Sequence, residues 1–489
     1  MNLKRKTLKE LGFLCACTVL PLYASCSGSA GNEVTGYVTT SDRSYDLVAD
    51  TLSFSETPAE VSAVVRLDAA TRYQSIDGFG AAITGATGYN LSLMPEEVRK
   101  QFLQDTFSPS KYGFSYVRVP IGCSDFSLSD YTCCDTKGIE NFALTLEDTK
   151  YLIPTLKEIL AINPDLKILA SPWTCPKWMK VKDLESKEPY DSWTGGQLNP
   201  DYYQDYATYF VKWLDAFKQA GVEVDAITVQ NEPLNRGNSA SLFMGWEEQR
   251  DFVKTALGPA LRKNFPEVKI YAFDHNYNYD NMPDQQDYPL KIYADVEAKQ
   301  YFAGAAYHNY GGNREELLDV HAQAPDMELV FTETSIGTWN RGNDLSLALN
   351  RDMEEVGLGT VNNWCKAVIV WNLVLDSDRG PHGGPGACAT CYGAVDVDNE
   401  TYTRITRNSH YYLLAHLASV VKPGAVRIGT SGTLPEGLAY AAFENADGTY
   451  AFVLSNPTET TQRFAVEDGT HSYVAEVPAK ALASYRWQK

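Results

Sequence analysis

Glu232 and Glu333 are the two side chains whose setting best suits acid–base or nucleophilic work. Each follows a short apolar run: "AITVQN" precedes Glu232 and "ELVFT" precedes Glu333. A carboxylate placed where a buried strand leaves the core faces a mouth rather than bulk solvent. Two of them facing each other across a cleft meet the requirement of glycosidic bond hydrolysis. One must hold a proton for the leaving oxygen, and the other must be ionised to attack or stabilise the anomeric carbon. Mutual repulsion helps, because charge on one carboxylate raises the pKa of the other. A retaining pair sits about 5–5.5 Å apart and an inverting pair about 6.5–9.5 Å. The plainer reading of either glutamate alone is a salt-bridged rim residue.

The neighbours argue against that plainer reading. Hydrogen-bonding and aromatic residues recur where apolar runs end: Asp125, Trp173, Asn231, Asp274 and His275, His308 and Tyr310, Trp371 and Asn372. A sugar ring has apolar C–H faces and a polar rim, so tryptophan beside carboxylate, amide and imidazole suits it. Trp173 and Trp371 fit that platform, although either could serve packing alone. A lone His275 or His308 would more often be a satisfied structural histidine.

Something must bring these residues to one place. Eight apolar runs alternate with amphipathic stretches between Gln74 and Val421: "SIDGFGAAI", "SYVRVPIG", "KILASPW", "AITVQNEP", "KIYAFDHN", "FAGAAYHNY", "ELVFTETS" and "AVIVWNLVLD". Most are continuous rather than half-polar, as strands buried on both faces should be. Between them, Ala207, Phe210, Val211, Leu214 and Phe217 recur at helical spacing. The pattern predicts an α/β fold, a (β/α)8 barrel over 67–421, with its chemistry at the C-terminal ends of the strands. On that fold Glu232 and Glu333 end strands four and seven. A doubly wound open sheet is the alternative, but no GxGxxG opens the first unit. The segment 422–489 instead alternates apolar and polar residues between turn signals such as Asp447-Gly448, as does "EVTGYVTTSDRSYDLVADTLSF". These read as one β-sandwich built from 422–489 and N-terminal strands within 27–66.

Length and charge narrow the partners. At 489 residues the chain exceeds the roughly 250–300 residues of a single core. A formal charge of −20 opposes nucleic acid and anionic membrane surfaces. A basic "MNLKRK", an apolar "LGFLCACTVLPLYA" and small residues before Cys26 resemble a bacterial lipoprotein signal, with Tyr23 a departure from the usual Leu. The expectation is a lipid on Cys26, a cell-envelope location and no membrane contact beyond that anchor. An ordinary cleaved signal is the alternative. After Cys26 come Cys123, Cys133, Cys134, Cys175, Cys365, Cys388 and Cys391, an odd number that excludes complete internal pairing. Cys388 and Cys391 form a lone CxxC in "GACATCYG", read as a local disulfide or free thiols rather than zinc. "DVDNE" at Asp396 is only a fragment of a calcium loop. No metal and no cofactor are expected, and the protein is expected to be a monomer.

Taken in order, "GFGAAITGA", "YVRVPIGCSDFS", "ASPWTCPKWMK", "TVQNEPLN", "DHN", "YHNY", "FTETS" and "WNLVLD…GGP" resemble glycoside hydrolase family 30, a clan of retaining barrel enzymes. The resemblance covers the whole barrel and implies a side sandwich made from both termini. It implies that Glu232 is the acid/base and Glu333 the nucleophile. Asn231 would bond the sugar 2-hydroxyl, and Tyr310 would orient Glu333. Asp125 and Trp173 would hold the far hydroxyls, with Trp371 beneath the ring and Arg118 below the carboxylates. Asp274, His275 and His308 would complete the sugar-binding set. The segments "FDHNYNYD" and "GGPGACATCYG" look more like the bacterial endo-β-1,6-glucanases than the glucosylceramidases. The implied activity is therefore endo-hydrolysis of β-1,6-glucan, with β-glucosidase or glucosylceramidase as the alternative. A non-catalytic glycan-binding lipoprotein on a degenerate barrel is the rival from another class, and it predicts loss of a carboxylate that this sequence retains.

Overall fold

The computed structural model describes residues 33–55, 61–277, 282–384 and 386–489. The expectations for the leader and for Cys26 fall outside them. Eight parallel strands close into a barrel in chain order: Gly78–Ala82, Tyr116–Ile121, Lys167–Pro172, Ala226–Thr228, Lys269–Asn276, Gly304–His308, Glu328–Glu333 and Cys365–Asn372. They are barrel strands one to eight below. Strands such as Tyr116–Ile121 and Gly304–His308 are buried at every residue, because side chains fill the barrel on one face and helices cover the other. Helix Tyr203–Gln219 shows the covering: Tyr206, Ala207, Phe210, Trp213, Leu214 and Phe217 are buried along one stripe.

The closed lower end is sealed by charge as well as by packing. Glu328 accepts from Lys269 at 2.8 Å and from Lys366 at 2.5 Å, and the Tyr271 hydroxyl donates to it at 2.7 Å. Glu328 lies at the N-terminal end of strand seven and Glu333 at its C-terminal end, so one six-residue strand carries both a structural and a candidate functional carboxylate.

Two boundaries differ from the sequence reading. Strand four was expected over 226–233 but has regular geometry only over Ala226–Thr228. Beyond it the chain stays tied to its neighbours through Asn231 N–H to the Pro172 carbonyl at 2.8 Å and Glu232 N–H to the Asp274 carbonyl at 2.9 Å. Glu232 itself takes φ +43°, left-handed backbone that no extended strand admits. The barrel also begins later than residue 67. Strand Val64–Ser75 belongs to the sandwich, antiparallel to Val426–Thr433 and parallel to Gln462–Glu467.

The sandwich is one nine-stranded sheet that uses both chain ends. Glu33–Thr40 pairs antiparallel with Ala481–Gln488. The sheet curls until Tyr473 packs edge-on against Tyr485 and Trp487, with ring centroids 5.6 and 5.1 Å apart. Helix Ser409–Val420 is buried at every residue, since it lies between barrel and sandwich. Among the described residues no helix is long and apolar enough to cross a membrane.

Candidate active site

Arg118, on strand two, organises the upper end of the barrel. Its side chain has no solvent exposure and forms an ion pair with Glu333 Oε2. It also donates to Asn231 Oδ1 and Asp274 Oδ2, both at 2.8 Å, and to Ser171 Oγ at 3.1 Å. The guanidinium lies 4.8 Å from the Trp173 ring centroid, and Trp173 stacks on Trp371 at 5.1 Å. A buried guanidinium satisfied on all sides is rigid, and so are the groups it holds.

Asp274 is the second organiser. Thr228 and Ser171 donate to its Oδ2 at 2.6 and 3.2 Å, and Thr332 donates to Oδ1 at 2.6 Å. His308 Nε2 lies 3.0 Å from Oδ1, and its Nδ1 lies 3.2 Å from Glu232 Oε1. A chain Arg118–Asp274–His308–Glu232 therefore runs beneath the mouth. On Glu232, Oε2 accepts from Asn235 Nδ2 at 2.7 Å and Asn238 Nδ2 at 3.4 Å. On Glu333, Oε1 accepts the Tyr310 hydroxyl at 2.9 Å.

Local backbone irregularities make this convergence possible. Strand register shifts by one residue between Phe273 and His275, between Phe331 and Glu333 against strand six, and between Val370 and Asn372. The extra residues are Asp274, Thr332 and Trp371, all of them in the site. A bulge re-aims side chains that strict alternation would send outward, so Asp274 and His275 both serve the mouth. Phe273 and Asp274 also have φ of +70° and +66°. Left-handed non-glycine residues cost about 1–3 kcal/mol each and gather where function over-determines the geometry.

Charge follows the contacts. Burial alone would raise Asp274, yet Arg118 and His308 hold it well below the usual carboxylate range. Burial would lower His308, but Glu333, Asp274 and Glu232 raise it to about 9. Glu232 is buried too, but the His308 hydrogen bond and nearby His275 bring it down to about 2. At Glu333 burial prevails over His308 and Arg118, and repulsion from Glu232 adds to it, so its pKa rises. Asp125 is raised well above its ordinary value by burial, Glu333 and Glu232. Glu232 and Glu333 thus form one coupled pair, and its protons belong to the pair.

Glu232, His308 and Glu333 each bring a ligand atom within 4.8 Å of the others, a spacing a metal ion could use. The donor set does not fit one. Both ring nitrogens of His308 face carboxylates already, and the Arg118 guanidinium lies against Glu333.

A cavity of about 460 Å³ opens above the pair, lined by Asp125, His275, Tyr310 and Trp371 beside the two glutamates. Arg118 lies under the carboxylates, and Trp173, Asn231, Asp274 and His308 pack against it or its partners. They hold the carboxylates and the Trp371 ring from below.

Barrel and curled sandwich agree with the family comparison. Residues 76–421 match the glycosyl hydrolase family 30 TIM-barrel domain, and residues 424–485 match the family 30 beta sandwich domain. The chain belongs to glycosyl hydrolase family 30. It is 63% identical to the solved endo-beta1,6-glucanase BT3312, with a TM-score of 0.91 over 94% of this chain and 99% of that one. It is 31% identical to the endo-1,6-beta-D-glucanase neg1 of Aspergillus fumigatus over 78% of each chain. Putative glucosylceramidase 4 of Caenorhabditis elegans is 30% identical over 92% of this chain and 88% of its own.

Within this family 30 site, sequence reasoning missed Asn235, Asn238, Ser171, Thr228 and Thr332. The amide-rich stretch "NEPLNRGNS" after Glu232 was the available signal for the first two. Cys388 and Cys391 form a disulfide and line the cavity, while Cys123, Cys133, Cys134, Cys175 and Cys365 are free and buried.

Proposed function

We propose that this protein cleaves internal β-1,6 linkages of glucan with retention of configuration. The observation that carries the mechanism is the spacing of the pair: an oxygen of Glu232 and one of Glu333 lie within 4.8 Å. That suits the roughly 5–5.5 Å of a double displacement and falls short of the roughly 6.5–9.5 Å of an inverting pair. The 63% identity to an endo-β-1,6-glucanase supports the substrate.

Glu333 attacks the anomeric carbon while Glu232 donates its proton to the departing glycosidic oxygen, leaving a glycosyl ester on Glu333. Glu232, now ionised, takes a proton from water as the water displaces Glu333 and frees the sugar. Arg118 and Tyr310 hold one oxygen each of Glu333. They fix the nucleophile and stabilise it as it leaves. The Oδ1 of Asn231 is held by Arg118, so its amide N–H groups remain for the sugar 2-hydroxyl, a bond that strengthens in the transition state. The His308 hydrogen bond lowers Glu232 while burial raises Glu333, so the resting proton belongs on Glu333. The working state needs it on Glu232, so the charge on His308 sets the balance.

β-1,6-glucan, β-1,3-glucan and an aryl β-glucoside, digested side by side, test the reading. Mixed oligosaccharides appearing early from the first polymer support it, and glucose as sole product would overturn it in favour of the glucosidase reading. Glu333→Gln should lower turnover by at least about 10³-fold while oligosaccharide binding persists. We also propose a lipid on Cys26 that holds the enzyme at the cell envelope, on the strength of the leader sequence. Palmitate incorporation that survives Cys26→Ser would contradict it.

A further inference from the structure

A second cavity, of about 390 Å³, adjoins the first and shares Tyr310 and Trp339 with it as a common wall. Both volumes fall in the roughly 300–1,000 Å³ range of small-ligand sites. Asn309, Arg351, Asp352 and Glu355 are among the lining residues of the second. Trp339 forms the ridge between them and is 54% exposed, whereas every other tryptophan is buried or half-buried.

That ring is exposed but not loose. A Cβ on Gly337 would come within 1.9 Å of its Cζ3, so the indole lies directly on the Gly337 backbone. Gly337 is paired in a two-strand ladder with Cys391, which is bonded to Cys388. The Gly337 N–H donates to Asn340 Oδ1 at 3.0 Å, and Arg351 Nη1 donates to the Asn340 carbonyl at 3.2 Å. The other Arg351 nitrogens divide unequally: Nε donates to Asp352 at 2.8 Å, while buried Nη2 has no partner among the described residues. An aromatic face on a cross-linked frame, beside the polar side chains of Asn309 and Glu355, is preorganised for a ring with an apolar face and a hydroxyl rim.

We propose that the second cavity binds a further glucosyl unit of the glucan chain, stacked on Trp339 with its hydroxyls toward Asn309 and Glu355. The inference rests on the glucan-hydrolase reading and deepens it. The carboxylate cavity reacts with one sugar, and Trp339 distinguishes a chain from a single residue.

The test compares kcat/KM of wild type, Trp339→Ala, Trp339→Phe and Gly337→Ala on β-1,6-gluco-oligosaccharides from disaccharide to hexasaccharide. A parallel β-1,3 series and an aryl β-glucoside are run beside it. Trp339→Ala should lose about tenfold more on the longest oligosaccharide that wild type cuts than on the aryl glucoside, the scale of one lost ring contact. Trp339→Phe should recover most of that difference, and Gly337→Ala, which displaces the ring, should reproduce the loss. Equal losses at every length, or none, would overturn the proposal. Calorimetric binding of the hexasaccharide to Glu333→Gln, with and without Trp339→Ala, reads the contact without turnover, and equal affinities would likewise contradict it. Which series wild type cuts decides the substrate reading; the dependence on Trp339 decides the subsite.

Discussion

At the residue scale, the candidate chemistry depends on where a few charges sit. His308 stands between Asp274 and Glu232, and its positive charge lowers the carboxylate it faces. Replacing it with glutamine removes that charge and leaves Asp274 less neutralised. Both effects disfavour ionised carboxylates, so more base is needed to ionise each member of the pair. Both limbs of the bell-shaped pH dependence of kcat/KM should therefore move to higher pH in His308→Gln, by about one unit. A profile that loses height without moving would mean that His308 only orients Glu232.

At the element scale, the site depends on departures from regular strands. Asp274 occupies the bulge of strand five and gathers contacts from strands two, three, four, six and seven. Asp274→Ala takes one of two buried carboxylates from Arg118 and from His308, leaving each with Glu333 or Glu232 alone. It should destabilise the fold by about 3–5 kcal/mol, read from urea unfolding, and lower turnover as well. An isosteric Asp274→Asn should cost less stability but still remove the charge. The same irregularities mark the limit of what one sequence reveals. Strand positions and their polar C-terminal residues were readable, because fully buried strands are continuous apolar runs and Glu333 does end strand seven. Glu232 read as the end of a strand because "AITVQN" is apolar and alternating, whereas the regular strand stops at Thr228. Left-handed φ at Glu232, Phe273 and Asp274 leaves no compositional trace, since none of the three is glycine. Nor could alternation separate Asp125, which faces the cavity, from Arg118, which lies under it. That distinction comes from closure of the barrel.

At the scale of the whole molecule, barrel and sandwich share a buried helix and a set of uncharged histidines. His416 in helix Ser409–Val420 lies 3.0 Å from Ser484 Oγ and 2.9 Å from Thr39 Oγ1, joining both termini to the barrel. Burial pushes it from 6.5 down to about 3, and His410 down to about 4. Their depressed folded values mean that the unfolded chain takes up protons first, so stability falls as pH drops below about 6.5. His308 acts in the opposite sense. Raised to about 9, it contributes stability below 6.5 that is lost as pH rises through 9. The histidine contribution should thus decline between pH 6.5 and 4.5, opposed there by Glu147, Glu248 and Asp396, whose carboxyls burial raises to about 7. His416→Gln should flatten that acid-side decline in a calorimetric series, and an unchanged slope would assign it elsewhere.

The central claim is that Glu232 and Glu333 perform a double displacement on glucan, and the anomeric configuration of the first product tests it most directly. Proton NMR of β-1,6-glucan during the first minutes of digestion, before mutarotation, should show the new reducing ends as the β-anomer. New ends appearing first as the α-anomer would contradict the account, whatever the rate.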